Sequence, residues 1–284
     1  MAFDPDTYAW ELDLDAYQRT LARSTTSQTW FRPTYEGFEN LRGSRGIMLV
    51  ANHGLLGFEL MPLLVGGWEV AGRPIRAVAD HVLFATAVQR RFMEARGAVE
   101  GTPKVADRLL RRGEILYVCP GGAREALSEP KDRYKLFWDQ SRGFVRSSIR
   151  AGAPIAPMAI LGHDETFRQL RTAPEMKRTP LGKLVVKAFG AKYVPPLYVG
   201  LGPFPLPQQF HFLVGELIEV PADPSLADDP ATVDALHEQS RVAVEALIAR
   251  AKERRQRRLA SMPDGPEKWL EKALIRAAGD GTGT

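Results

Sequence analysis

Short apolar runs alternate with amphipathic stretches along most of the chain. Residues 47 to 51, IMLVA, follow the turn-like GSRG of Gly43 to Gly46 and suit a buried strand better than a five-residue helix. Asn52, His53 and Gly54 stand at the strand's C-terminal end. Val105, Leu109 and Leu110 then recur at helical spacing among charged residues until Gly113, and Ile115 to Cys119 form a second apolar run, broken by Pro120-Gly121-Gly122. The grammar repeats once more, with Phe144, Val145 and Ile149 on a helix ending near Gly152 and a strand from Ile155 to Leu161. Strand, helix, strand in alternation predicts an α/β fold with a largely parallel central sheet flanked by helices.

The pattern changes in two places. Between residues 174 and 210, Pro174, Pro180, Pro195, Pro196, Pro203, Pro205 and Pro207 interrupt an otherwise apolar stretch that includes Leu181, Leu184, Tyr193, Tyr198 and Phe204, unlike a regular core element. From Asp229-Pro230, an N-cap with proline at the first helical position, the stripe Val233, Leu236, Ser240, Val244, Leu247 and Ala251 predicts a long helix ending in the basic run Arg254 to Arg258. The expected division is a helical extension over 1–29, a main α/β domain over 30–225 and a basic helical extension over 226–284.

Composition narrows the function. The 284 residues carry a net charge of +4, and from Arg241 onward ten Lys or Arg stand against six Asp or Glu, so that segment accounts for the whole excess. The single cysteine, Cys119, cannot form an internal disulfide and has no zinc or redox spacing around it. It reads as a small buried side chain, and no metal is expected. The acidic N-terminus lacks the features of a secretory signal, and no apolar run approaches the ~18 residues that span a bilayer. The expectation is a cytoplasmic protein, and the uneven charge leaves peripheral attachment to a membrane surface open. No nucleic acid is expected, because the basic run lacks interleaved aromatics.

In open parallel sheets, ligands bind beyond the carboxyl ends of the strands. The first such loop, Asn52 to Leu60, holds His53 and Glu59 six positions apart. That spacing separates them on a regular helix, so pairing needs a bend, which Gly54 and Gly57 make possible. An imidazole oriented by a carboxylate can take a proton from an alcohol; the bland alternative is a hydrogen-bonded histidine at a strand end with Glu59 in solvent. The second loop, PGGAREAL from Pro120 to Leu127, offers backbone N–H groups and Arg124 for an anion, or is a plain turn with Arg124 in water. His163-Asp164-Glu165 after the third strand reads as a turn, and His81, His211 and His237 stand in no pattern. Nucleophile-elbow, Walker A, dinucleotide and zincin motifs are absent, leaving serine hydrolase, NTPase, dehydrogenase and zinc protease readings without support.

With these blocks in view, the sequence resembles the glycerolipid acyltransferase superfamily, which contains the lysophosphatidic acid acyltransferases. ANHGLLGFEL, VCPGGAREAL and GAPIAPMAIL follow that family's order. The likeness is closest to a subgroup similar to diacylglycerol acyltransferases and phytyl ester synthases, which shares PGGxREAL, YKLFW (Tyr134 to Trp138), PPLY-x-G (Pro195 to Gly200) and the lead-in WFRPTYEGFENL (Trp30 to Leu41). The resemblance implies an O-acyltransferase using acyl-CoA or acyl carrier protein as co-substrate, with no cofactor. It implies His53 as base and Glu59 as its partner, Asn52, Gly121, Gly122, Arg124 and Glu125 as substrate or phosphate contacts, and Gly54 or Gly121 as oxyanion donors. It also implies a lipid acceptor and an anionic membrane surface as partners. The acid falls six residues after His53 where the lysophosphatidic acid enzymes have five, and Gly121 stands where they carry glutamate, which favours a neutral alcohol as acceptor. A catalytically silent lipid-binding protein and an acyl-thioester hydrolase are the alternatives.

Overall fold

The computed structural model describes residues 11–189, 194, 196–202 and 204–278. The first ten residues, Tyr193, Pro195 of the PPLY block, Pro203 and the last six residues lie outside the described residues.

In chain order the helices and strands are α1 (Leu14–Ala22), α2 (Thr25–Phe31), β1 (Thr34–Glu36), β2 (Ile47–Ala51), α3 (Leu60–Gly66), β3 (Ile75–Ala79), α4 (Ala87–Glu94), β4 (Val99–Glu100), α5 (Pro103–Arg111) and β5 (Ile115–Val118). There follow α6 (Gly122–Ala126), α7 (Gly143–Ala151), β6 (Ile155–Leu161), β7 (Arg168–Arg171), α8 (Ala173–Arg178), α9 (Pro180–Phe189), β8 (Leu197–Val199), β9 (His211–Val214), α10 (Pro230–Ser261) and α11 (Pro266–Ala277). Seven strands make one sheet in the order β1-β9-β6-β2-β5-β3-β4. Its central pairs β6·β2, β2·β5 and β5·β3 are parallel, while β9 runs antiparallel to β6. The α/β reading with a largely parallel sheet therefore holds.

The continuous apolar run of β2 has a simple cause, since helices cover both sides of it. Met48 and Val50 face a core shared with Leu109 of α5, Ile149 of α7 and Val244 of α10. Ile47, Leu49 and Ala51 face the opposite core, with Tyr17 of α1 and Leu63 and Leu64 of α3. The helix ends follow their sequence signals: Thr102 caps α5 ahead of Pro103, Gly152 closes α7 at φ +62°, and Asp229 caps α10 by accepting from the Thr232 N–H. The stripe of α10 is buried as spaced and lies against β6, so the segment after 226 contributes directly to the main core. The broken stretch 174–210 holds most of α8, with α9 and with β8, which pairs back to β7 outside the main sheet, and it leaves Leu181, Leu184, Leu201 and Phe204 exposed.

Candidate active site

The carboxyl ends of β2, β5 and β6 converge, and the loops that follow them meet there. Asn52, the first residue past β2, is clamped to β6: its Nδ2 donates to the Ile160 carbonyl and its Oδ1 accepts from the Ile160 N–H, both at 2.9 Å. Nδ2 also lies 3.2 Å from His163 Nε2. Expected to touch substrate, Asn52 is instead buried with both ends of its amide used inside the protein, and its work is to fix the start of the loop.

The chain then bends as the glycines allow. Gly57 takes a left-handed φ of +68°, and Gly54 passes so close to the His163 ring that an added Cβ would lie 2.2 Å from its Cδ2. The bend returns Glu59 beneath His53, with Nδ1 to Oε1 at 2.7 Å. Glu59 is buried, while the His53 side chain keeps 28% of its surface exposed. With Nδ1–H donating to the carboxylate, the neutral ring carries its lone pair on Nε2. Burial alone would lower the His53 pKa, but the neighbouring Cys119 and Glu59 outweigh it and lift the pKa above the ordinary imidazole value. Burial likewise opposes ionisation of Glu59; the hydrogen bond and charge of His53 prevail and keep the carboxyl below its usual range.

The PGGAREAL loop closes the other side. Glu125 is buried, its Oε2 accepting from the His53 N–H at 3.0 Å and its Oε1 from the Phe137 N–H at 2.9 Å. Burial nonetheless pushes its pKa up to about 7. A carboxylate committed to two backbone donors does not touch a phosphate, so Glu125 joins Asn52 as a support of the loop. Gly121 is where it is because of that support: a Cβ there would meet the Glu125 carboxyl at 2.1 Å. Of the expected oxyanion donors, the Gly54 N–H is turned to Glu59 Oε1 at 3.3 Å; the N–H of Gly122, expected at the substrate, goes to the Cys119 carbonyl at 3.0 Å. The Gly121 N–H has no such bond among the described residues. Arg124 is exposed, its guanidinium 5.5 Å from the centre of the Phe137 ring.

Two neighbours of His53 were not read from the sequence. Cys119 follows β5, whose Val118 pairs with Val50 of β2, and this register sets its sulfur beside the imidazole. Its Sγ donates to the Tyr117 hydroxyl at 2.9 Å. His163 braces Asn52 and Gly54 from behind; the only sign of it in the sequence was its place just past the third strand. Glu165, in the same turn, receives a bidentate contact from Arg255 of α10.

The family model described as diacylglycerol acyltransferase matches residues 67–259, beginning downstream of the His53–Glu59 loop. An uncharacterized protein of Mycobacterium tuberculosis is 31% identical over 232 residues, which cover 78% of this chain and 62% of the relative. A Mycobacterium leprae counterpart is 30% identical with 61% of its length covered, so the chain spans about three fifths of these relatives. The mouse protein named DGAT1/2-independent enzyme synthesizing storage lipids is 28% identical, over 82% of this chain and 68% of that protein. The crystal structure of the 1-acyl-sn-glycerophosphate acyltransferase PlsC from Thermotoga maritima superposes with a TM-score of 0.52 at 17% identity, covering 83% of this chain and 79% of that one. That last likeness concerns the fold.

Proposed function

The chain belongs to the diacylglycerol acyltransferase family, and from that membership we propose that it is an O-acyltransferase moving a long-chain acyl group from an acyl thioester to the hydroxyl of a neutral lipid. The observation that carries the reading is the 2.7 Å contact between His53 Nδ1 and a buried Glu59 Oε1, at the strand ends where such sheets bind ligands. His53 Nε2 takes the proton of the acceptor hydroxyl as its oxygen attacks the thioester carbonyl. Glu59 holds the tautomer and stabilises the imidazolium, and the Gly121 N–H is the donor available to the oxyanion. Collapse of the tetrahedral intermediate expels the thiolate, which recovers the proton from His53, leaving an ester and a free thiol. No acyl-enzyme is required.

Association with a lipid surface belongs to the same proposal. No helix among the described residues is long and apolar enough to cross a membrane. Leu181 and Leu184 of α9, with Leu201 and Phe204 beyond β8, are more than half exposed, and apolar side chains left in solvent are what an interfacial protein buries among lipids.

The deciding experiment supplies the purified protein with a long-chain acyl-CoA and, together, diacylglycerol, a long-chain alcohol and lysophosphatidic acid, and weighs the products by mass spectrometry. The proposal expects a new ester of one of the two neutral alcohols. Fatty acid with free thiol and no ester would make the protein a hydrolase, and no turnover with any acyl thioester would leave a binding protein.

A further inference from the structure

Among the described residues, two that are not glycine take a left-handed φ: Arg32, which caps the C-terminus of α2, and Tyr134, at φ +62°. At a helix end that conformation is ordinary. An aromatic residue held in it elsewhere costs conformational energy, and persists only where its surroundings over-determine it. What holds Tyr134, the first residue of the YKLFW block, is the turn after β6. Its hydroxyl donates to Glu165 Oε1 at 2.9 Å and accepts from the Gly162 N–H at 2.9 Å, while its own N–H donates to Asp164 Oδ2 at 3.0 Å. Its ring stands edge-on to His163, with centroids 5.8 Å apart. Tyr134 thereby contacts each of Gly162, His163, Asp164 and Glu165. Arg255 of α10 closes the grip by binding both oxygens of Glu165, and Lys252 Nζ lies 4.6 Å from the centre of the Tyr134 ring.

The turn held in this way backs the base. His163 Nε2 lies 3.2 Å from Asn52 Nδ2, and the His163 ring fills the space beside Gly54, so the residues on both sides of His53 rest on it. A second support leaves the same segment: the Phe137 N–H donates to Glu125 Oε1, whose Oε2 accepts from the His53 N–H. Both supports converge on the placement of an imidazole whose Nδ1 meets Glu59 Oε1 at 2.7 Å, a contact that weakens steeply with distance and angle. Core packing does not account for the strained residue. In this segment it is Trp138 that is buried in the main core, edge-on to Phe144, whereas the polar groups of Tyr134 all go to the turn.

We propose that Tyr134 is a positioning residue for the base: its left-handed backbone and its hydroxyl fix the His163 turn, and through that turn the seating of His53 against Glu59. The assignment rests on the reading of His53 given above. A group whose support is lost need move by only a fraction of an ångström for the rate to fall.

Tyr134→Phe keeps the ring and removes the hydroxyl. It should lower kcat by on the order of tenfold with KM within about twofold of wild type. Added to Glu59→Gln it should cost little more, the double variant staying within about twofold of Glu59→Gln alone, because both changes loosen one contact. Proton spectroscopy reads the same contact without turnover. The Nδ1–H signal of His53 lies downfield because a carboxylate accepts the proton, and its absence from His53→Ala identifies it. In Tyr134→Phe it should move upfield. Arg255→Lys, which keeps the charge but cannot span both Glu165 oxygens, should move kcat and the signal in the same direction by less. Melting curves establish that both variants are folded. A lowered melting temperature with kcat and signal unmoved would make Tyr134 a structural residue only and overturn the proposal, as would a loss of kcat fully additive with that of Glu59→Gln. A wild type without the downfield signal would refute the His53–Glu59 contact and the positioning role together. If the signal moves as expected but the wild type transfers no acyl group, the positioning role stands and the function proposed above falls; if the wild type makes ester and neither variant moves the signal, the function stands and the positioning role falls.

Discussion

An imidazole takes a proton only while it is neutral, and Cys119 and Glu59 together raise the pH at which His53 becomes so. Glu59→Gln keeps the side chain's shape but removes the carboxylate's share of that rise. The acidic limb of the pH–kcat profile should therefore move to lower pH, while kcat itself falls by roughly 10²-fold or more because the tautomer is no longer enforced. A profile with an unmoved limb would mean that Glu59 does not act through His53. Glu125 gives a prediction of opposite kind. Its folded pKa of about 7 lies above the ordinary carboxyl value of 4.5, so the folded state holds the proton more tightly than the unfolded one. Stability is then fullest below pH 4.5 and declines as pH rises through the window to about 7, by about 3 kcal/mol. Urea melts of Glu125→Gln should lack that decline, though the amide is less stable overall because its NH₂ faces a backbone donor.

The elements legible from sequence are those whose burial is uniform. IMLVA, ILYV and IAPMAIL are buried on both faces, so their apolar runs are unbroken, and α10 carries its stripe because one side alone packs on the sheet. Elements placed by their neighbours were not legible. β1 is three residues long, and β9 enters between β1 and β6, parallel to the first and antiparallel to the second, a pairing that no local pattern announces. In the site, the spacing of His53 and Glu59 with two glycines between them told that a bend could join them. It could not tell that Asn52 and Glu125 face inward, because burial of a polar side chain depends on the strand it is clamped to. The bend itself is testable. Gly54→Ala sets a Cβ against the His163 ring, so the loop should shift and the protein lose about 1–3 kcal/mol of stability, with a fall in kcat. Thermal melts and turnover that both match wild type would show that the close approach is not needed.

At the scale of the whole molecule, one end of the sheet gathers the chemistry: the His53–Glu59 pair at its centre, an arginine-lined cavity at its edge, and exposed apolar residues in the segment between β6 and β9. The proposed transfer needs an acyl thioester and a lipid alcohol to meet, and polar and apolar surfaces border the same strand ends. Leu181→Asp with Leu184→Asp should reduce co-sedimentation with lipid vesicles by several-fold while the melting temperature stays near wild type, since both side chains already stand in solvent. Equal sedimentation would place the lipid-facing surface elsewhere. The central claim, that this end of the sheet performs acyl transfer with His53 as its base, is met most directly by comparing ester formation by wild type and a folded His53→Ala variant. The account predicts a loss on the order of 10²- to 10⁴-fold, about 3 to 5 kcal/mol of transition-state stabilisation; turnover within a few-fold of wild type would contradict it.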